Sequence, residues 1–271
     1  MRKICWLLTV LVVLSLLSLN VQAETVGSSS LNLYRQNTMS VLWFQNSAEA
    51  KALYYQGYNV GRMRLDNLLR DRKNTNSLKP AIVLDIDETV LDNSPYQAWY
   101  VLHGKDVPFE WNSWFLKGQA KALPGAIKFL QYANARGVAI FYISNRNEAQ
   151  KEATMKNLIN VGAPQVKSEH VLLQQPGERG KETRRIQVAK THDVLLYFGD
   201  NLGDFSGFDA LTPLERSHEA AKRQEEFGRK LIVFPNPMYG DWEGAIYQYD
   251  YRKSNEEKDK LRKKLLETYH P

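Results

Sequence analysis

Two aspartates separated by one residue, Asp85 and Asp87, directly follow a run of four apolar residues, Ala81 to Leu84. Such an uninterrupted run is typical of a strand that is buried on both faces. Side chains alternate sides along a strand, so the two carboxylates project the same way. Each raises the pKa of the other, and a divalent cation with oxygen ligands, such as Mg²⁺, relieves the repulsion. The pair therefore predicts a metal site. The alternative is a helix N-cap, with Asp87 as the cap and Glu88 in the first turn.

Further apolar runs along the chain end in polar residues in the same way. The apolar runs predict strands over 81–84, 138–143, 170–173, 194–198 and 230–234, with helices over about 124–135, 148–158 and 181–189. Strands that alternate with helices indicate an α/β fold with a mostly parallel sheet covered on both faces. In such sheets ligands bind beyond the carboxyl ends of the strands. The polar residues expected at that edge are Asp85, Asp87, Ser144, Asn145, Asp200 and Asp204, joined by Lys181 from the head of a helix.

The residue types in this set exclude some kinds of site. No histidine lies at a predicted strand end, so a Ser-His-Asp hydrolase is a poor fit. No pair among the five histidines has the spacing of a zinc site. The segment 177–183, GERGKET, lacks the first glycine of a P-loop at the required spacing.

The set suits attack on phosphorus by a carboxylate, because Mg²⁺ and a lysine offset the repulsion between that carboxylate and a phosphate. In this interpretation Asp85 is the nucleophile and a metal ligand, and Asp200 is the second carboxylate ligand. Asp87 protonates the leaving alcohol and then deprotonates the hydrolytic water. The groups expected to hold the phosphoryl oxygens are Ser144, the amide of Asn145, and Lys181.

Several of these residues lie in motifs that resemble a known superfamily. DIDET at 85–89, ISN at 143–145, Lys181 and GDNLGD at 199–204 are similar to the four motifs of the haloacid dehalogenase (HAD) superfamily, in order and rough spacing. DIDETVLDNSPY, GDNLGDF and PNPMYGDWEG more narrowly resemble bacterial class C acid phosphatases, also described as the lipoprotein acid phosphatase and 5'-nucleotidase family. The resemblance implies a HAD-like Rossmannoid three-layer fold. It also implies an exported, Mg²⁺-dependent phosphomonoesterase with an acidic optimum and nucleoside 5'-monophosphates among its substrates.

The resemblance also implies roles for single residues. Asp85 and Asp200 bind the metal, Asp87 adds its backbone carbonyl to its acid and base role, and Asp204 supports the waters of the metal. Members of the family stack the substrate's base between aromatic rings. The candidates for that stacking are Tyr239, Phe109 and Trp111. The last two belong to an aromatic-rich segment, 95–124, which is expected to form either the core of a small lobe or a lid over the mouth of the sheet.

The N-terminus predicts a secretory signal peptide over residues 1–23. Arg2 and Lys3 precede an apolar stretch from Trp6 to Leu19, and cleavage is expected after Ala23. An uncleaved anchor helix is the alternative. The single cysteine, Cys5, precedes the apolar stretch, whereas a lipidated cysteine would follow it. We therefore expect a periplasmic or secreted protein without a lipid anchor.

Residues 24–271 are expected to form one domain with appendages. The predicted parts are an N-terminal helical region over 24–79, a sheet core over 80–94 and 124–240, a cap-like insertion over 95–123, and a C-terminal helical tail over 241–271. The charged tail helix, Asn255 to Thr268, is expected to dock on the domain through Leu261, Leu265 and Leu266.

The net charge of the chain limits the kinds of partner that are expected. The net charge of +6 falls to +4 when Arg2 and Lys3 are removed, a value compatible with small anionic substrates. No cluster of basic residues interleaved with aromatics precedes the tail, so we expect no nucleic-acid partner. The sequence leaves open whether the chain forms a homo-oligomer. Two alternative functions also stay open: phosphotransfer to an alcohol through the same intermediate, and a non-catalytic binding or storage protein on the same fold.

Overall fold

The computed structural model describes residues 33–72, 78–104 and 110–270. The predicted signal peptide and the stacking candidate Phe109 lie outside the described residues. The strands are β1 (Lys79–Leu84), β2 (Leu91–Asp92), β3 (Lys121–Ala122), β4 (Ala139–Asn147), β5 (Val171–Gln174), β6 (His192–Gly199) and β7 (Leu231–Val233). Five of them form one parallel sheet in the order β5-β4-β1-β6-β7. The predicted α/β fold with a mostly parallel sheet is confirmed.

The central strand of this sheet, β1, carries the residues that precede the two aspartates. It pairs with β4 on one side and β6 on the other, so that Val83 lies between Phe141 and Tyr197. Residues 81–84 are all buried, as the uninterrupted apolar run predicts. Because β1 is central and all neighbours run parallel to it, its carboxyl end is surrounded by the carboxyl ends of β4 and β6.

Helices cover both faces of the sheet. They are α1 (Thr38–Asn46), α2 (Ala48–Asp71), α3 (Ser94–His103), α4 (Trp111–Lys117), α5 (Ala126–Ala135), α6 (Lys151–Asn160), α7 (Glu182–Ala189), α8 (Pro213–Lys222), α9 (Asp241–Ile246) and α10 (Asn255–Lys264). The sequence interpretation missed α8, whereas α9 lies at the start of the predicted helical tail over 241–271. A start signal for α8 was present, because Thr212 and Glu215 form a capping box around Pro213 at the first helical position.

The long helix α2 packs its aromatic residues against the sheet. The ring of Tyr54 stacks on Phe234, with centroids 5.0 Å apart, and Tyr58 stacks on Phe198 at 6.1 Å. The helix can approach this closely because residue 61 is glycine: a Cβ there would lie 2.6 Å from the ring of Phe198. The sequence predicts that a stripe of apolar residues at helical spacing within 28–72, to which Met39, Leu42, Leu53 and Tyr54 belong, packs against the sheet domain. That prediction is confirmed for Tyr54 and wrong for Met39, Leu42 and Leu53, which are exposed. Tyr58 was not part of the predicted stripe.

The segment after β1 forms no single regular element. It consists of α3, α4 and the antiparallel pair of β2 and β3, in which Leu91 lies opposite Ala122. Its rings pack on one another: Trp111 lies 4.8 Å from Tyr96 and 5.1 Å from Phe115.

The C-terminal helix is shorter than expected. It ends at Lys264, so Leu265 and Leu266 lie beyond it and are 54% and 67% exposed. Their predicted docking is wrong. Within the described residues, no helix has both the length and the apolar character that crossing a membrane requires.

Candidate active site

Three carboxylates meet at the carboxyl ends of β1 and β6. Asp85 follows β1 and donates its backbone N–H to the carbonyl of Phe198 at 2.9 Å. One carboxylate oxygen from each of Asp85, Asp200 and Asp204 lies within 4.8 Å of the others. No helix follows β1 directly, since α3 begins only at Ser94. The alternative interpretation of the aspartate pair as a helix N-cap is therefore wrong.

Lys181 is the cation nearest to these carboxylates among the described contacts. Its Nζ donates to Asp204 at 2.6 Å and also to Asp85, and all three side chains are buried. Burial raises the pKa of Asp85 to about 7; Lys181 opposes this rise, while Asp204 and Asp87 add to it. Burial disfavours the charged lysine, but Asp204 and Asp85 outweigh this effect and raise its pKa.

The third carboxylate, Asp200, is oriented by neutral donors. Asn236 donates to its Oδ2 at 2.8 Å and Thr89 to its Oδ1 at 3.2 Å. Burial raises the pKa of Asp200 well above its usual range, and the charges of Asp85 and Asp204 raise it further. One lysine thus faces three carboxylates, an excess of negative charge that a bound cation would balance. The donor set consists of carboxylate oxygens, which fits a hard divalent cation such as Mg²⁺.

Asp87 is separated from this cluster and is held by its own partners. Arg146 donates to its carboxylate from Nη2 at 2.7 Å and from Nε at 3.1 Å. Asn93 donates at 2.7 Å and the hydroxyl of Ser144 at 3.0 Å. Burial pushes the pKa of Asp87 upward, but the charge and hydrogen bonds of Arg146 outweigh it, so the pKa is lowered.

Sequence reasoning missed Arg146, although it directly follows the ISN motif. In the structure Arg146 is buried, and its guanidinium lies 4.0 Å from the centre of the Phe115 ring. A side chain that is desolvated and stacked in this way has little freedom to leave Asp87.

The two residues predicted to bind phosphate at the end of β4 differ in exposure. Ser144 is buried, and its hydroxyl accepts from the N–H of Arg146 at 3.1 Å while donating to Asp87. Asn145 is exposed, and its side-chain oxygen accepts from Arg184 at 2.9 Å. Arg184 also donates to the carbonyl of Ser144, so it fixes the backbone of this strand end. It is a second arginine that sequence reasoning missed.

One cavity of about 780 Å³ brings the predicted site residues together. Its lining includes Asp85, Asp87, Ser144, Asn145, Lys181, Asp200, Asp204, Trp111 and Tyr239. The rings of Trp111 and Tyr239 lie 5.2 Å apart at an angle of 59°. The aromatic-rich segment thus contributes to the cavity wall as well as packing on itself. Phe109, outside the described residues, stays a prediction.

The parallel sheet, the aspartates after β1 and β6, and the lysine at the head of α7 define a protein of the HAD-like α/β class. Residues 7–242 match the family described as HAD superfamily, subfamily IIIB (acid phosphatase), and the chain belongs to this family. The resemblance stated from the motifs is confirmed.

Solved structures agree with this assignment. The chain is 53% identical to the class C acid phosphatase of Bacillus anthracis, solved with tungstate bound. The match covers 89% of this chain and all of the other, with a TM-score of 0.85. Plant relatives are more distant. They include Acid phosphatase 1 of Solanum lycopersicum, 28% identical over 166 residues, which are 58% of this chain and 57% of that protein.

A further plant relative is Vegetative storage protein 1 of Arabidopsis thaliana, 26% identical over 159 residues, or 58% of this chain and 54% of that protein. The chain therefore spans a little over half the length of each plant protein. Taken together, the family and the bacterial structure support phosphomonoesterase activity.

Proposed function

We propose that this protein is a Mg²⁺-dependent acid phosphatase that hydrolyses phosphomonoesters, including nucleoside 5'-monophosphates, through an aspartyl-phosphate intermediate on Asp85. The observation that carries the proposal is the position of Asp85, buried at the mouth of the sheet between Lys181 and two further carboxylates. Membership of the acid phosphatase family supports the reaction class. The metal, the nucleotide substrates and the single-residue roles are our inference.

Asp85, Asp200 and Asp204 would hold the metal, and the resemblance adds the backbone carbonyl of Asp87. When bound, Mg²⁺ supplies positive charge that offsets the repulsion between a phosphate and these carboxylates. Lys181 has three N–H donors, two of which serve Asp85 and Asp204. The third is available to a phosphoryl oxygen, so the lysine can stabilise charge on phosphorus without leaving its carboxylates.

The reaction would proceed in two displacements. An oxygen of Asp85 attacks phosphorus and the bond from phosphorus to the alcohol oxygen breaks, while Asp87 gives its proton to that oxygen. In the second step Asp87 takes a proton from water and the water oxygen attacks phosphorus. The bond from phosphorus to the Asp85 oxygen breaks, which frees the carboxylate and releases phosphate. The hydroxyl of Ser144 and the amide of Asn145 would hold phosphoryl oxygens beside Lys181.

The acid role of Asp87 requires a proton that Arg146 disfavours. A dianionic phosphate next to Asp87 would oppose the charge of Arg146 and raise the pKa of the carboxyl. A mildly acidic medium works in the same direction. The same arginine suits the second step. By lowering the pKa of Asp87 it keeps the carboxylate ionised once the proton has gone to the alcohol, so that Asp87 can accept a proton from water.

Recognition of a nucleotide base would fall to the aromatic side of the cavity. Tyr239 and Trp111 both line it and contact each other. A ring stacked on a base contributes ~1 to 3 kcal/mol in nucleic-acid sites, enough to rank nucleotides above small aliphatic phosphates. Phe109 would extend this wall.

Two other functions deserve a direct comparison. A storage protein is supported by the match to a plant protein of that name. Against it, this chain keeps the full set of motif residues, namely Asp85, Asp87, Lys181, Asp200 and Asp204. Phosphotransfer shares the first displacement, and an added alcohol or nucleoside acceptor would distinguish it from hydrolysis by its product.

We also propose export, with cleavage after Ala23, on the basis of the sequence pattern in residues 1–23. The remainder, 24–271, would be the working enzyme, with the part boundaries given from the sequence. Mass spectrometry of the N-terminus of the protein recovered from outside the cytoplasm tests this. A chain that retains Met1 would overturn it.

The experiment that tests the activity measures phosphate release from a nucleoside 5'-monophosphate at mildly acid pH, with Mg²⁺ and then with EDTA. We expect metal-dependent release that is lost in Asp85→Asn and kept in Asp71→Asn. The second variant is a matched control, since Asp71 is exposed at the end of α2. Absence of release from a panel of phosphomonoesters, by folded protein supplied with Mg²⁺, would overturn the proposal in favour of the storage function.

A further inference from the structure

Glu88 is a buried carboxyl group to which neither the motifs nor the proposed reaction gives a task. Its side chain is fully buried, three residues beyond the nucleophile. Its backbone has φ of 55°, in the left-handed region that non-glycine residues rarely adopt. A strained backbone of this kind persists only where its surroundings impose it.

The surroundings that impose this conformation come from α2. The hydroxyl of Tyr54 donates to the carbonyl of Glu88, and the hydroxyl of Tyr58 donates to the carbonyl of Thr89 at 2.6 Å. Two buried tyrosines thus hold two successive peptide groups of the turn after β1. Because the backbone of this turn is fixed, the direction of the Glu88 side chain is fixed as well.

The carboxyl group of Glu88 has partners on two different elements. Its Oε1 accepts from the backbone N–H of Asn93 at 2.6 Å, and its Oε2 accepts from the Asn93 side chain at 3.2 Å. The hydroxyl of Tyr239 also donates to Oε2. Asn93 lies just before α3, whereas Tyr239 lies between β7 and α9.

Each partner is linked to the proposed site, Asn93 by a contact with Asp87 and Tyr239 as a ring of the cavity wall. The side-chain amide of Asn93 donates to Asp87 at 2.7 Å, and its oxygen accepts from Trp114 at 2.7 Å. Asn93 therefore helps to orient the proposed general acid. Tyr239 presents its ring to the cavity beside Trp111. One carboxyl group thus fixes a neighbour of the acid and a ring of the proposed base site.

We propose that Glu88 is a positioning residue that sets the place of Asp87, through Asn93, together with the place of the Tyr239 ring. It touches no substrate. Its effect is to hold the base-stacking wall at a fixed distance from the group that protonates the leaving oxygen. The inference rests on the proposed function and deepens it, because it assigns to one residue both the preference for base-bearing phosphomonoesters and the protonation of poor leaving groups.

Two ratios measure these effects separately. The first is kcat/KM for a nucleoside 5'-monophosphate over kcat/KM for glycerol phosphate, which reports the base site. The second is kcat for glycerol phosphate over kcat for 4-nitrophenyl phosphate, which reports the acid, since 4-nitrophenolate leaves without a proton. A general loss of folded protein changes neither ratio.

Three variants separate the effect of Glu88 on Tyr239 from its effect on Asp87 through Asn93. Tyr239→Phe keeps the ring and removes its bond to Glu88, so the first ratio should fall about fivefold, the effect of one net hydrogen bond, with the second ratio unchanged. Asn93→Ala should lower the second ratio by a similar factor. Glu88→Ala should lower both. Matched controls are Tyr269→Phe and Glu225→Ala, which alter side chains that are 88% and 82% exposed and should shift neither ratio.

The outcomes distinguish this inference from the proposed function. If Asp85→Asn is inactive but Tyr239→Phe and Asn93→Ala leave both ratios at the wild-type values, the positioning role is overturned while the phosphatase stands. Equal changes in both ratios for both variants would also overturn it. If Glu88→Ala fails to fold, the other two variants still decide. Residual activity in Asp85→Asn would instead overturn the reaction on which the inference rests.

Discussion

Removal of one hydroxyl group from α2 should destabilise the turn after β1, beside the carboxylate cluster. In Tyr58→Phe the ring stays, with its neighbours Phe129 and Phe234 at centroid distances of 5.4 and 4.6 Å. Only the bond to the carbonyl of Thr89 is lost, so any effect comes from that carbonyl. Thr89 in turn donates its hydroxyl to Asp200.

The size of the effect follows from burial. Tyr58 is 3% exposed, and its pKa is raised by burial, as expected for a hydroxyl held away from water. Loss of the donor leaves a buried carbonyl without this partner, which costs about 1 to 3 kcal/mol of unfolding free energy. In a domain of this size each kcal/mol shifts Tm by roughly 2 to 4 °C, so Tm should fall by about 2 to 12 °C.

Thermal melts in EDTA, followed by circular dichroism, measure this shift, and urea unfolding gives the free energy. The matched control is Tyr55→Phe on the same helix, where the side chain is 53% exposed and the change should stay within about 0.5 kcal/mol. A Tm for Tyr58→Phe that equals the control would refute the argument. It would show that the carbonyl of Thr89 finds water or another donor at no cost.

Two further predictions concern the carboxylate cluster. Asp85 has a pKa of about 7 in the fold against an ordinary value of 3.8, so between these pH values the folded, metal-free chain holds a proton that the unfolded chain has lost. The contribution of Asp85 to stability in EDTA therefore falls as pH rises through this window. Since Mg²⁺ needs the ionised form, the gain in Tm on adding Mg²⁺ should grow between pH 5 and 8; a constant or shrinking gain would contradict the assigned ligand. Lys181→Met leaves Asp85 and Asp204 buried without their cation, which should cost ~3 to 5 kcal/mol at pH 8 and less at pH 5, where the carboxylates take up protons. Urea unfolding tests it against Lys260→Met at an exposed position on α10, and equal stability of the two variants would be inconsistent with a buried ion pair.

The sequence was informative where a local pattern has a single physical cause. An apolar run that ends in polar residues marks a buried strand and its carboxyl end, which is why β1, β4 and β6 and the residues after them could be predicted. Parallel topology then forces those ends to one edge of the sheet. On that basis the sequence predicts Asp85, Ser144 and Asp200 at one edge of the sheet, where the structure has them.

The sequence left the conformation open where the local pattern suits two of them. Glu88 follows a potential N-cap, and in isolation an acidic residue there suits the first turn of a helix. In the fold it adopts the left-handed region and is buried, because Tyr54 and Tyr58 approach from a helix more than thirty residues away. No spacing within 85–96 contains that information.

Tertiary structure alone decided which charges pair. Arg146 could be read as a solvated residue after a strand, yet it is desolvated against Phe115 and bound to Asp87. The pairing of Lys181 with Asp204 likewise joins the head of α7 to the loop after β6. Such contacts depend on the distance between elements in space, and that distance is set by packing of the whole core. The sequence by itself therefore determined the chemistry available at the edge of the sheet, and only the fold decided how each group is charged and held.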